Sequence, residues 1–244
     1  MRRVAVITGA SSGIGAEIAR LLARRDWQCV LVARREERLR PLAEEIGGAY
    51  ELCDVTDRAA LAGVAARNPR VDLLVNNAGV PARVSFLDGD PDEIERAMRT
   101  NYFGSIWCLQ AFLPALTAAA PSDVVNIVSV AGEVALPTAG PYAASKHAQL
   151  AFSRSVAAEL RPRRIRVHTV KPGFVETEGF PQSELPAPVR RLVIGPQRVA
   201  EHVLASVESG RGETTVPRYY RIGGALQGLA PNTLSRLLGT RIRR

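Results

Sequence analysis

Apolar positions along the 244-residue chain follow two alternating rhythms. Short aliphatic and β-branched runs at residues 4–7, 28–33, 71–75, 124–128 and 165–170 are too brief for buried helices. They read as strands covered on both faces, the pattern of a parallel sheet. Between them, apolar residues recur every three or four positions. Ile18, Ala19, Leu21 and Leu22 give residues 16–25 a single apolar stripe, and the same spacing predicts a long helix over about 92–117. Another helix opens at residues 34–38. Strand and helix alternate from end to end, which predicts an α/β fold: a doubly wound parallel sheet with helices on both faces, in a single domain. No internal repeat, low-complexity tract or linker interrupts the alternation.

The junctions after the strands carry the chemistry. Between the first strand and its helix lies Thr8-Gly9-Ala10-Ser11-Ser12-Gly13-Ile14-Gly15. A glycine-rich turn between strand and helix aims backbone N–H groups and the helix dipole at a diphosphate, the arrangement of a Rossmann-type site. Glycines alone would also serve a plain tight turn. After the second strand, Arg34 and Arg35 sit at the positive end of a helix dipole, which costs about 0.3–1 kcal/mol each unless an anion is present. In a dinucleotide site an acid at this place holds a ribose 2′-hydroxyl, and an arginine accommodates a 2′-phosphate. No acid ends this strand, so NADP(H) is favoured over NAD(H). The alternative, a solvated surface pair, suits Arg35 better than Arg34.

Tyr142 and Lys146 are four residues apart, one helical turn on one face. Bringing a phenol from its usual pKa of about 10 toward 7 takes roughly 4 kcal/mol. An ammonium about 4 Å away at an effective dielectric near ~20 supplies that much. Taken alone, the pair would read as a core tyrosine beside a solvated lysine. Ser129 alone would be a strand-end serine, Asn101 a helix residue satisfying backbone groups, and residues 76–79 a turn.

Their order changes that reading. The turn at 8–15, Asn76-Asn77-Ala78-Gly79, Asn101, Ser129, Tyr142 with Lys146, and Pro172-Gly173 follow one another as in the short-chain dehydrogenase/reductase family, which the chain resembles over about residues 1–210. The resemblance implies an oxidoreductase in which Tyr142 exchanges a proton with a carbonyl or alcohol oxygen and Ser129 holds that oxygen. It implies that Lys146 lowers the tyrosine pKa and bonds the nicotinamide ribose, and that Asn101 anchors a water linking Lys146 to solvent. Cofactor contacts implied in the same way are Gly9, Ser11, Ser12, Gly13, Ile14 and Gly15 at the diphosphate, Arg34 and Arg35 at the 2′-phosphate, and Asp54 and Val55, closing the third strand, beside adenine. Asn76, Ala78, Gly79, Pro172 and Gly173 follow, with Tyr142, Lys146, and Val175 and Thr177 at the carboxamide.

Residues 1–218 form the expected catalytic domain, with a substrate lid at about 174–197, and residues 219–244 an extension. The lid holds Pro181, Pro186, Pro188, Pro196, Phe180, Leu185 and Leu192; with Val134, Leu136 and Pro137 it predicts an apolar pocket for a lipophilic ketone, aldehyde or secondary alcohol. The family's ketoacyl-thioester reductases tend to differ after residues 76–79, where this chain has Val80-Pro81-Ala82-Arg83-Val84, and at the C-terminus. Fatty-acid synthesis is therefore the alternative. A dinucleotide-sensing protein without chemistry is a third reading, opposed by the full set of catalytic positions.

The net charge of +8 resides mostly in the tail: seven arginines and one acid follow Gly210, leaving +2 to residues 1–209. Nucleic acid is thus not an expected partner. Leu226, Leu229, Leu234, Leu237 and Leu238 beside those arginines suit a basic helix docked on the body or a dimer partner, or else one in weak contact with a membrane surface. Pro231 and Gly228 interrupt its pattern. The unusual tail leaves open whether the expected homo-oligomer is a dimer or a tetramer. Cys29, Cys53 and Cys108 lack paired spacing and read as buried thiols of a cytoplasmic protein, and His147, His168 and His202 lack ligand spacing, so no metal is expected. Met1-Arg2-Arg3 before an apolar run mimics a signal peptide, but glycine and serine soon interrupt the run. No uninterrupted apolar run reaches bilayer-spanning length.

Overall fold

The computed structural model describes residues 2–178, 181 and 190–239. Four of the seven residues named for the lid, Phe180, Leu185, Pro186 and Pro188, therefore lie outside the described residues, as do the last arginines, Arg241, Arg243 and Arg244. Seven strands, β1 (Val4–Thr8), β2 (Gln28–Ala33), β3 (Ala49–Leu52), β4 (Leu73–Asn76), β5 (Ser122–Ile127), β6 (Ile165–Pro172) and β7 (Glu213–Val216), form one sheet among the described residues. Their order is β3-β2-β1-β4-β5-β6-β7, and all pairs are parallel. Among the described residues the α-helices are α1 (Gly13–Ala23), α2 (Glu36–Ile46), α3 (Arg58–Arg67), α4 (Pro91–Ala97), α5 (Gly104–Ala119), α6 (Gly140–Leu160), α7 (Pro196–Ser209), α8 (Arg221–Leu229) and α9 (Pro231–Gly239).

The aliphatic runs are continuous because the sheet is buried on both sides. Ile7, Leu31, Val75 and Val125 face α1, α2 and α7, where Ile18, Leu39 and Val203 meet them. Their sequence neighbours Val6, Val30, Leu74 and Val124 point the other way, onto Leu61 of α3, Phe112 of α5 and Leu160 of α6.

Two boundaries differ from expectation. β3 ends at Leu52, so Asp54 and Val55 stand in the turn beyond it. The helix expected over 92–117 is broken by a π turn at Met98–Phe103 between α4 and α5. A π turn carries one more residue per turn than an α-helix, and it marks functional positions; Asn101 lies inside it and is fully buried. The run Pro91–Ala119 is long and apolar enough by composition to cross a membrane. Its Cys108, Phe112 and Leu116 are instead buried on the sheet, so it serves as a core helix.

Candidate active site

Strand order reverses between β1 and β4, and ligands of open α/β sheets bind at the carboxyl ends beside such a switch point. There a cleft of about 1390 Å³ opens. Its floor is clipped together by two side chains. Thr8 Oγ1 donates to the Val75 carbonyl (3.1 Å) and accepts from the N–H groups of Asn77 (3.0 Å) and Ala78 (3.1 Å). Asn77 Nδ2 returns hydrogen bonds to the carbonyls of Thr8 (2.9 Å) and Gly9 (3.2 Å). This proximity forces glycine: a Cβ on Gly9, at φ +64°, would stand 2.7 Å from the Ala78 Cα, and one on Gly15 would stand 2.5 Å from Asn77 Nδ2.

Side chains cap α3 and α4: Asp57 accepts from the Ala59 and Ala60 amides, and Asp90 from the Asp92 amide. Ser12, at the same place before α1, caps nothing. The first amides of α1 are thus left for an anion, with Ser11, Ser12, Gly13 and Ile14 lining the cleft.

At the adenosine end the two arginines exchange the parts expected of them. The Arg35 side chain is 39% exposed and lies over the glycine-rich turn, donating to Ser11 Oγ (3.0 Å) and Ser12 Oγ (2.9 Å) and pairing with Glu178 (3.1 Å). The Arg34 side chain is 67% exposed and meets Asp54 at 3.3 Å. Arg35 is therefore the built-in member of the pair and Arg34 the more solvated one. Burial opposes the charge on Asp54, but the Thr56 amide and hydroxyl and Arg34 outweigh it and hold the carboxyl below its ordinary range. Arg35 lowers Glu178 likewise.

At the other end, α6 presents Tyr142 and Lys146 to the cleft and Ser129 follows β5. The Ser129 hydroxyl accepts from the Ala131 amide (3.1 Å) and hydrogen-bonds the phenol. Burial raises the Tyr142 phenol above its ordinary pKa, and the Ser129 bond only partly opposes it. Lys146 is 4% exposed and donates to the Ile127 carbonyl (3.1 Å) and Gln149 Oε1 (2.8 Å); burial pulls its ammonium down to about 7. The expected lowering of the tyrosine by the lysine is thus reversed here. The ammonium sits 5.8 Å from the ring centroid and turns to neutral acceptors, so desolvation pushes both groups toward their uncharged forms.

Ala78, Gly79, Val55, Pro172, Gly173, Val175 and Thr177 all border the cleft. Thr177 reaches across to the glycine-rich turn, 3.1 Å from where a Gly13 Cβ would stand. Gly15, Asn76 and Asn101 do not border it. Gly15 serves the close packing just described. Asn76, expected as a cofactor contact, is buried in β4 and donates to Asn126 Oδ1 (2.9 Å) on the face of the sheet covered by α5 and α6. Asn101 is locked by its side chain: Oδ1 accepts from the Val80 amide (2.8 Å), and Nδ2 donates to the Val80 carbonyl (3.0 Å) and Ser145 Oγ (2.9 Å). Both amide hydrogens are spent, which leaves the expected water one lone pair of Oδ1 on that side chain.

The tail folds back over the substrate end. Gln227 of α8 accepts from the Ala135 amide (3.3 Å), and Gly223 and Gly224 lie against Val134 and Glu133. Tyr219, Tyr220 and Leu238 line the cleft, and any Cβ on Gly173 would run into the Tyr220 ring. No local pattern marks Tyr219 and Tyr220 as cleft walls, and their place between two arginines is the only signal in the sequence.

Parallel strands, an uncapped helix over a glycine turn and a Ser–Tyr–Lys cluster define a dinucleotide-dependent oxidoreductase. The model of the short chain dehydrogenase family matches residues 3–185, and the chain belongs to that family. It is 32% identical over 266 residues to the bovine "Dehydrogenase/reductase SDR family member 7B" (Bos taurus), covering 99% of this chain and 82% of that protein. The Danio rerio protein of the same name is 36% identical over 190 residues, 72% of this chain and 62% of the relative. Among solved structures, a short chain dehydrogenase from Burkholderia cenocepacia in complex with NADP superimposes with a TM-score of 0.87 at 30% identity, over 97% of each chain. The protein is an oxidoreductase that uses a nicotinamide dinucleotide.

Proposed function

We propose that the protein is an NADP(H)-dependent carbonyl reductase or alcohol dehydrogenase acting on a small, largely apolar substrate, with Tyr142 as general acid/base. The observation that carries this is the single cleft joining the Arg35–Ser11–Ser12 cluster at one end to Ser129, Tyr142 and Lys146 at the other. The residues fit a phosphorylated dinucleotide: uncapped amides of α1 for a diphosphate and two guanidinium groups for a further phosphate. A bound nicotinamide supplies or accepts the hydride.

In the reductive direction Tyr142 would give its phenolic proton to the substrate's carbonyl oxygen, and Ser129 would donate a hydrogen bond to that oxygen. A phenol raised by burial is fully protonated at neutral pH, the form that reduction requires. Lys146, in its charged form, would set an ammonium 5.8 Å from the centre of the Tyr142 ring and would hold the ribose of a bound dinucleotide. Val134, Leu136, Phe174, Leu192, Tyr220 and Leu238 surround the reacting end and support an apolar substrate. A panel of ketones, aldehydes and secondary alcohols followed by NADPH absorbance tests the assignment; no turnover with any of them would count against it.

For the cofactor, Arg35→Asp is expected to weaken NADPH binding by roughly tenfold or more while sparing NADH, since one charge-assisted bond to phosphate is worth about 1.5–3 kcal/mol. Equal losses for both dinucleotides in fluorescence titrations would clear Arg35 of this role.

A second reading concerns the tail. Ile222, Leu226, Leu229 and Leu237 stay exposed beside Arg218, Arg221 and Arg236, with Leu229 at 86%. This amphiphilic surface at the cleft mouth supports weak attachment of a cytoplasmic protein to an anionic lipid surface. Vesicles rich in phosphatidylserine are then expected to co-sediment the full chain, and less of it at high salt; no sedimentation in low salt removes this reading.

A further inference from the structure

Behind Lys146 runs a chain of polar groups with no part in the chemistry above. Lys146 Nζ donates to Gln149 Oε1 (2.8 Å), Gln149 Nε2 donates to Ser105 Oγ (2.9 Å), and Ser105 Oγ donates to the Asn101 carbonyl (3.0 Å). Gln149 is fully buried. An ammonium only donates, so the glutamine must offer its oxygen to Lys146 and its amino group to Ser105. Ser105 hangs from the carbonyl of Asn101, whose own side chain is pinned to Val80 and Ser145. Gln149 is thereby fixed at both ends, and the π turn is the anchor.

A buried cation needs acceptors, and Lys146 has two neutral ones, the Ile127 carbonyl and Gln149. Among the described residues no carboxylate pairs with it. Tyr142 is its titratable neighbour on α6, and His147 turns to the Ala143 carbonyl. Glu133, from the loop after β5, is committed to Lys171 (2.6 Å), and Arg99 of the π turn pairs with Glu95 (3.6 Å). Arg83, from the loop after β4, lines the same cleft.

We propose that Gln149 is the positioning residue of Lys146: locked by Ser105 and the π turn, its side-chain oxygen keeps the ammonium charged and aimed under the cleft. This rests on the reading of Lys146 given above. Because burial brings that ammonium to about 7, one hydrogen bond decides its state near neutrality. A carboxylate at the same place would fix the charge; an amide lets it respond to what enters the cleft.

The test uses the whole protein and NADPH alone. Charged Lys146 exists below its pKa, so NADPH affinity, read by fluorescence titration from pH 5 to 9, is expected to fall as pH rises through that value. Lys146→Met should erase this step. Gln149→Leu removes one acceptor and should move the midpoint down by roughly one pH unit, giving up to about tenfold weaker binding just above the wild-type midpoint. Gln149→Glu should move it up. Opposite shifts cannot come from loosened packing, which melting curves of both variants would report separately. If the wild type shows the step, Lys146→Met loses it, and neither folded Gln149 variant moves it, the positioning role is overturned. If the wild type binds NADPH with no step that depends on Lys146, the reading of Lys146 itself fails.

Discussion

Tyr142→Phe is expected to cut kcat for carbonyl reduction by roughly 1000-fold while leaving the NADPH dissociation constant within about a factor of two. General acid catalysis contributes about 100- to 10,000-fold, and Tyr142 is the acid that hydrogen-bonds Ser129 in the cleft. Ser129 cannot take over, because an unassisted hydroxyl is far too weak an acid for the task at neutral pH. The substitution removes one oxygen and keeps the ring, so the wall it forms with α6 stays in place. NADPH absorbance gives kcat and fluorescence titration gives the dissociation constant. Turnover within tenfold of the parent would end the assignment of Tyr142 as the proton donor.

Gly9→Val is expected to abolish dinucleotide binding and to lower stability by several kcal/mol. Two costs add at this residue. Its φ of +64° belongs to the left-handed region, where a β-branched side chain is strained by about 1–3 kcal/mol. The new Cβ would also press on the backbone of Ala78, which cannot rotate away because Thr8 holds the Ala78 amide. The chain must then part β1 from the loop after β4, which opens the floor of the cleft. Urea midpoints against the parent give the stability loss. A variant that folds normally and binds NADPH as before would show that the close approach of these loops is dispensable.

Much of this architecture was legible because it rests on strong local signals. A sheet buried on both faces leaves unbroken aliphatic runs, and Gln28–Ala33 was found to the residue. The glycine-rich turn and the Tyr142–Lys146 spacing were visible for the same reason, since each depends on near neighbours in the chain. What stayed hidden depends on contacts distant in sequence. The relative exposure of Arg34 and Arg35 is set by Ser11, Ser12 and Glu178, and no local pattern reports them. Asn76 resembles its neighbours Asn77 and Ala78 in the motif, but strand alternation turns it to the sheet face covered by α5 and α6. Charge proximity alone predicts a lowered Tyr142, but desolvation, and the acceptors that draw Lys146 away, set the opposite direction. Gln149 lies three residues beyond Lys146, a spacing the sequence displayed; only the partner across the helix pair, Ser105, gave it meaning. The two tail helices were foreseen as an apolar, basic segment, but not where they come to rest.

The widened turn at Met98–Phe103 gives the two ends of one long rod independent settings. Downstream, Phe112 and Leu116 must meet the sheet; upstream, Asn101 must meet Val80 and Ser145. An unbroken α-helix advances about 100° per residue and would tie those two orientations together. The additional residue decouples them. Deleting a single position there would leave the apolar seam seated and swing Asn101 about a quarter-turn off its partners, leaving a sound scaffold with its wiring cut.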